Sequence, residues 1–156
     1  MTPLRKKMSQ DLRLRGLSPN THDQYVGCVR VYATYHGKSP AELGQEHVRD
    51  FLLHMQGLGR AKSTLVVYWC ALKFLYAVTL GRPEVMKGVP RAKVRRGEPG
   101  PALTKAEVRA LLDAAGRNYD RTLLALMYAC GFRATEACSL RTEDIDARAG
   151  LIHIRL

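Results

Sequence analysis

Apolar residues recur at three- and four-residue intervals through the first half of the chain, and glycines cut the pattern into four helical segments. Leu4, Met8 and Leu12 follow Thr2-Pro3 and predict a helix to about residue 15, ended by Gly16, with Arg5, Lys6, Lys7 and Arg13 on its polar face. Ser18-Pro19 pairs an N-cap with a proline at the first helical position, where a missing N–H is harmless. This opens a second helix to about His36, striped by Tyr25, Val29, Tyr32 and Ala33, with Gly37 as its stop. Ser39-Pro40 repeats the signal for a short turn. Residues 45–56 form a third helix with Val48, Phe51, Leu52 and Met55 on one side, broken by Gly57 and Gly59. Residues 63–79 are the most apolar, through Leu65, Tyr68, Trp69, Leu72, Leu75 and Tyr76. Four helices with short joints predict a bundle over residues 1–80.

The periodicity vanishes over residues 81–101. Pro83, Pro90, Pro99 and Pro101 stand there among Lys87, Arg91, Lys93, Arg95 and Arg96, which reads as an extended, basic interdomain linker. Order resumes with Thr104-Lys-Ala-Glu107, a capping box that opens a helix through Val108, Leu111 and Leu112. A further helix starts at Asn118 or Asp120, runs through Leu123, Leu124, Leu126, Met127 and Tyr128, and ends at Gly131. A short helix around residues 133–139 and a turn over 142–146 follow. Residues 151–156 alternate apolar and polar after Gly150, the mark of a strand. One strand cannot pair with itself, so residues 102–156 are expected to be the first part of a larger mixed α/β domain. The chain then reads as a fragment of a longer protein.

Charge adds a partner to this outline. Lys and Arg number 25 against 14 Asp and Glu, a formal net charge of +11. Residues 1–80 carry +6 and residues 81–100 carry +4, whereas residues 101–156 are nearly neutral with 8 basic and 7 acidic side chains. The positive field belongs to the bundle and the connector, and it calls for a polyanion such as duplex DNA. No apolar run is long enough to span a bilayer and no signal-peptide pattern follows the N-terminal basic cluster, so a cytoplasmic protein without a membrane partner is expected. Cys28, Cys70, Cys130 and Cys138 form no C-x-x-C pair and have no His at zinc-ligand spacing. They read as small buried thiols, not as metal ligands.

Two motifs carry candidate chemistry. Gly57-Leu-Gly59-Arg60-Ala61-Lys62-Ser63 imitates a phosphate-cradling loop, but Ala61 and Gln56 stand where that loop needs glycine. Arg60, Lys62, Ser63 and Thr64 at a helix N-terminus still suit a DNA phosphate, with capping by Ser63 as an equally open reading. Further on, Arg133 follows the helix-ending Gly131, with Glu136 three residues later and Leu140 beyond. Such an arginine is either a phosphate clamp braced by a carboxylate or one half of an ordinary i,i+3 ion pair.

Gly131-Phe132-Arg133-x-x-Glu136-x-x-x-Leu140, followed by Asp144-Ile-Asp146, resembles the first active-site arginine box of tyrosine recombinases, the phage-integrase family. The first half is similar to their core-binding domain through Leu17-Ser18-Pro19-Asn20-Thr21 with Tyr25, and through Ser63-Thr64 with Leu72, Phe74 and Tyr76. Leu103-Thr104-x-x-Glu107 fits the opening of their catalytic domain. The resemblance implies a mainly α protein: a four-helix SAM-like bundle, then the first helices and strand of an incomplete α/β catalytic domain. It also implies a C-shaped clamp on double-stranded DNA, self-association on DNA in a full-length form, and strand exchange through a covalent 3′-phosphotyrosine without ATP, metal or other cofactor. Arg133 matches the first catalytic arginine and Glu136 its carboxylate. Lys6, Lys7, Thr21, Arg60, Lys62, Ser63, Thr64, Lys73, Lys93, Arg95 and Arg96 are the expected DNA contacts.

The match has gaps. His47-Val-Arg49 and His153-Ile-Arg155 have one residue too few for the family's His-x-x-Arg box, and its lysine and nucleophilic tyrosine are not matched. Tyr25, Tyr32, Tyr68, Tyr76 and Tyr128 read as core by helical spacing. The expectation is a partial site-specific recombinase that binds DNA without cleaving it alone. The alternatives are a non-enzymatic DNA-binding regulator built on the same fold, and a helical interaction module whose charge serves solubility.

Overall fold

The computed structural model describes residues 2–94 and 100–154, which fall into two compact units divided between residues 96 and 97. In the first unit, α1 (Pro3–Leu14) starts where the Thr2 hydroxyl accepts from the Arg5 N–H (3.4 Å). The second helix, α2 (Pro19–His36), starts where Ser18 Oγ accepts from the Thr21 N–H (3.3 Å). A single 3-10 turn, Pro40–Glu42, leads to α3 (Gln45–Gly57), whose first turn is tied by His47 Nδ1 accepting from the Gly44 N–H (3.2 Å). The four expected helices are completed by α4 (Lys62–Phe74), which runs on into one wider π turn, Leu75–Thr79. Among the described residues no helix is long and apolar enough to cross a membrane.

Helices α2 and α4 form the middle of the bundle. Tyr32, Phe51, Leu72, Leu75 and Tyr76 are wholly buried, each such side chain contributing about 1.5–3 kcal/mol by leaving water. Val26 and Cys28 are buried on α2 as well, so its inward surface is broader than the stripe through Tyr25 and Val29. The core has one polar chain. The Tyr76 hydroxyl donates to the Pro40 carbonyl (3.1 Å), which leaves its lone pairs to accept from the Tyr32 hydroxyl (3.0 Å). The same turn is held from outside by Arg82, whose Nη1 donates to the Ala41 carbonyl (2.8 Å).

The connector starts later than the prolines and charges indicate. Residues 83–86 form a 3-10 turn, and Val85, Met86 and Val89 are buried in the bundle core, where the Trp69 indole N–H donates to the Val89 carbonyl (3.1 Å). These apolar side chains outweigh the local charge, so residues 81–89 belong to the first unit. Ser63 does not cap α4: Ala61 is the N-cap residue, and no side chain accepts from the first turn.

The second unit contains α5 (Lys105–Ala114), α6 (Asn118–Cys130) and α7 (Ala134–Ser139). Thr104 and Glu107 form the expected capping box, with the Thr104 N–H donating to Glu107 Oε2 (2.8 Å) and the Glu107 N–H to Thr104 Oγ1 (3.3 Å). Past a 3-10 turn, Thr142–Asp144, the strand at Leu151–Ile152 (β2) does find a partner. Ile145–Asp146 (β1) pairs with it antiparallel, in the register Ile145 to Ile152. The strand is shorter than expected: His153 and Ile154 are not part of it, and Arg155 and Leu156 lie outside the described residues. Two further readings are corrected here. Tyr128 is 57% exposed instead of core, and of the four thiols only Cys28 is buried, Cys130 and Cys138 being exposed. Helical periodicity marks a shared face, but α5 and α7 cover α6 only in part, so Leu123 to Met127 are half-buried and no α6 residue is fully buried.

The polar chain in the core predicts an asymmetry. Tyr76→Phe strands the buried Tyr32 hydroxyl and removes one of the two donors to the Pro40 carbonyl, which keeps the Leu43 N–H, and is expected to cost about 2 kcal/mol. Tyr32→Phe leaves Tyr76 donating to Pro40 and is expected to cost about 1 kcal/mol. Urea unfolding measures both, and equal costs would show that the hydroxyls donate in another order.

Candidate nucleic-acid interface

The joint between α3 and α4 is built by backbone geometry. The Arg60 N–H donates to the Met55 carbonyl (3.3 Å) and the Gly59 N–H to the Gln56 carbonyl (2.9 Å), a Schellman closure with Gly59 at φ 71°. That left-handed position favours glycine and sets the direction in which Arg60 leaves α3. Lys62, Ser63 and Thr64 then occupy the first turn of α4 with no capping side chain, so their N–H groups join two cations at the positive end of a helix dipole. A helix, not a strand, precedes this loop, which removes the nucleotide-loop reading.

Just past the middle of α4, Trp69 acts as a platform. Lys73 Nζ lies 5.1 Å and the Arg91 guanidinium 6.0 Å from its ring centroid, within cation–π reach. The hydrogen bond from Trp69 to Val89 anchors the backbone two residues before Arg91. Both cations are exposed, and neither forms an ion pair among the described residues. Sequence reasoning took Trp69 for core and left Arg91 among the linker charges; the usable signal was the i,i+4 spacing of Trp69 and Lys73.

The other nominated contacts are placed as follows. Lys6 and Lys7 are exposed on α1, and Lys93 is exposed after the last 3-10 turn. Thr21 is already engaged, its hydroxyl 3.0 Å from Ser18 Oγ in the cap of α2. Arg95 and Arg96 lie outside the described residues.

In the second unit, Gly131 (φ 70°) ends α6 and turns the chain so that Arg133 becomes the N-cap residue of α7. Glu136 grips Arg133 twice. The Arg133 backbone N–H donates to Oε2 (2.7 Å) and its guanidinium Nη1 to Oε1 (2.7 Å). The Arg133 backbone N–H first, and its guanidinium next, hold the Glu136 carboxyl below the usual carboxylate range. The guanidinium itself stays open, with the Arg133 side chain 82% exposed against 19% for Glu136. Ion pair and presented fork therefore coexist. Nearby, buried Asp144 accepts from the Arg141 N–H (2.9 Å), and its carbonyl accepts from the His153 N–H (2.8 Å), tying the 3-10 turn to the hairpin. Among the described residues no group of three or more His, Cys, Asp or Glu is placed to hold a metal ion.

Comparison with known proteins bears on both units. The family model described as phage integrase, N-terminal SAM-like domain, matches residues 4–84, and that of the phage integrase family matches residues 101–156. The chain is 32% identical over 146 residues to the tyrosine recombinase XerA of Thermococcus kodakarensis, covering 92% of this chain and 50% of that protein. It is 29% identical over 154 residues to the tyrosine recombinase XerD of Halalkalibacterium halodurans, again over 50% of the relative. A solved XerA recombinase aligns with 98% of this chain and 54% of its own length, at a TM-score of 0.48 and 17% identity. The chain spans about half the length of the curated relatives it matches. With one family model covering the bundle and a second the unit that bears Arg133, the chain belongs to the phage integrase family of tyrosine recombinases.

Proposed function

We propose that this chain binds duplex DNA as the first part of a site-specific tyrosine recombinase, and that Arg133, braced by Glu136, holds the phosphate at which strand cleavage occurs. The braced but exposed guanidinium is the observation that carries this reading. One N–H of the fork is fixed by the carboxylate, while the remaining donors face solvent with their direction set. Such preorganised donors stabilise charge that grows on phosphate oxygens without having to reorganise during the reaction. In this reading the first unit supplies affinity: Lys6, Lys7, Arg60, Lys62, Ser63, Thr64, Lys73, Arg91 and Lys93, joined by Arg95 and Arg96, meet backbone phosphates, which carry position but not sequence.

The nucleophile is not among this chain's core tyrosines. Tyr32 and Tyr76 are wholly buried and bonded to each other, and burial pushes both phenols upward, away from the phenolate that attack on phosphorus requires. Tyr25 and Tyr68 are raised for the same leading cause.

Binding to a short duplex is expected to weaken steeply with salt. Neutralising about five phosphates gives a slope of log K against log salt near −4 to −5. Lys73→Gln with Arg91→Gln should make that slope shallower by about two and weaken all sequences alike. The single tryptophan, Trp69, should change its fluorescence on binding. Salt-independent affinity, measured by anisotropy titration, rejects the electrostatic reading, and a loss confined to one base position shows that the pair reads sequence.

Arg133→Lys separates the clamp from the cap. The Arg133 backbone N–H to Glu136 survives this change, and a solvent-screened ion pair adds little stability, so the thermal midpoint should hardly move. In a longer form that carries a nucleophilic tyrosine, the variant should lower the yield rate of covalent protein–DNA complex about 10²–10³-fold while DNA binding persists. Glu136→Gln acts on the cap instead. Its carboxyl is held low in the folded state, so the stability it contributes is present above the unfolded carboxylate range and lost as pH falls through the folded value. The Gln variant should lack that acid-dependent component in α7, read by pH-dependent amide exchange. Normal cleavage by Arg133→Lys, with a large loss of stability, assigns Arg133 to structure alone.

A further inference from the structure

A cavity of about 200 Å³ opens where α3, α4 and the segment after the last 3-10 turn of the first unit meet. Leu52, Leu65, Trp69 and Val89 give it apolar walls, and Leu53 stands at its mouth. Leu65 and Val89 are buried, Trp69 is half-buried and Leu53 is 64% exposed, so an apolar base opens towards solvent. The Trp69 indole N–H is already spent on the Val89 carbonyl (3.1 Å), which leaves a guest only the apolar surface of the ring. The volume lies below the roughly 300–1,000 Å³ of sites for drug-sized ligands, so a guest here is small.

Two arginines give the mouth its charge. Arg49, Leu53 and Gln56 follow one another at i, i+4 and i+7 on α3, which puts them on one side of the helix. Arg91 comes from the segment after the 3-10 turn, its guanidinium 6.0 Å from the Trp69 ring centroid. Both arginines are exposed, and neither forms an ion pair among the described residues. Glu46, three residues before Arg49, and Asp50, next to it, line no part of the cavity. Lys73, the other cation on Trp69, lines none of it either. No carboxylate therefore offsets the two charges at this mouth. An apolar hollow beside two planar forks suits a flat apolar body that carries a planar anion, because guanidinium and carboxylate pair through two parallel N–H donors. A duplex phosphate meets the arginines but brings no apolar body to fill the hollow, since the bases are stacked inside the double helix.

We infer that this cavity binds a small aromatic carboxylate, a free molecule and not a segment of protein, with its ring against Trp69 and its carboxylate between Arg49 and Arg91. Gln56, at the same mouth, supplies a further N–H donor to the anion. Such binding requires neither DNA nor recombinase chemistry. It touches the proposed DNA surface at one point, Arg91, which the guest engages.

Trp69 is the single tryptophan, so the full chain, labelled with ¹⁵N and free of DNA, has one indole N–H resonance to follow. Titration with 2-naphthoate should shift that resonance saturably, together with the backbone amides of Val89 and Arg91. The neutral 2-naphthamide keeps the rings and lacks the charge, and should bind about tenfold more weakly. Arg49→Gln and Arg91→Gln should each weaken 2-naphthoate about tenfold as well. Both arginines are exposed, so these variants keep the fold, which the unliganded spectrum checks. Lys87→Gln removes an exposed charge that lines no part of the cavity and should leave binding unchanged. No saturable shift up to about 5 mM, equal binding of acid and amide, or equal weakening by Lys87→Gln and Arg49→Gln overturns the assignment. So does tighter binding of deoxythymidine monophosphate at the same resonances, which gives the cavity to nucleic acid.

Discussion

The Pro40 carbonyl is the point on which the bundle closes. It belongs to the turn that joins α2 to α3, where it accepts from the Leu43 N–H (3.2 Å) and keeps a second lone pair for a donor from elsewhere. Tyr76, on the π turn that ends α4, supplies that donor from inside the core, and Tyr32 of α2 donates in turn to Tyr76. Arg82 takes the next carbonyl, of Ala41, from the surface side. Three segments distant in sequence are thereby fixed in register by hydrogen bonds for which buried apolar packing alone has no substitute. Everything proposed for the first unit presumes this registry: the angle of α4, the seating of Val85 to Val89, and so the position of Trp69 with its two cations.

Much of that architecture is legible in the sequence because the helix signals are local. Thr2, Ser18 and Thr104 cap the helices they were expected to cap, and Gly16, Gly37 and Gly131 end theirs in left-handed geometry. What is not legible depends on partners. Residues 83–89 look solvated by composition, yet three apolar side chains among them complete a core whose shape no local window reveals. The partner strand at Ile145–Asp146 is too short to show an alternation. Tyr128 follows Leu124, and Cys130 follows Leu126, at the four-residue spacing of a shared helix face, but spacing says which residues share a side and not whether anything covers it.

Arg133 shows the limit from the other direction. Its spacing to Glu136 fits both a clamp and an ion pair, and only coordinates reveal that the carboxylate uses one oxygen for the backbone and one for a single guanidinium nitrogen. Restraint and availability are thus compatible in one side chain. The brace also belongs to the helix cap, so the orientation of the charged group is inherited from the start of α7 and does not require a separate set of supporting residues.

The bond from Trp69 to Val89 has a consequence for synthesis on the ribosome. Helices α1 to α4 can form early from local contacts, but the cleft beside Trp69 stays open until residues 85–89 have left the exit tunnel. The basic residues immediately downstream are then still inside or just emerging. The first unit can therefore reach its native packing while the second is still held in the tunnel or not yet made, and its nascent surface is already strongly positive beside the polyanionic RNA of the ribosome. Vectorial emergence gives this bundle a last step, the docking of its own tail, which is completed before the domain behind it has emerged.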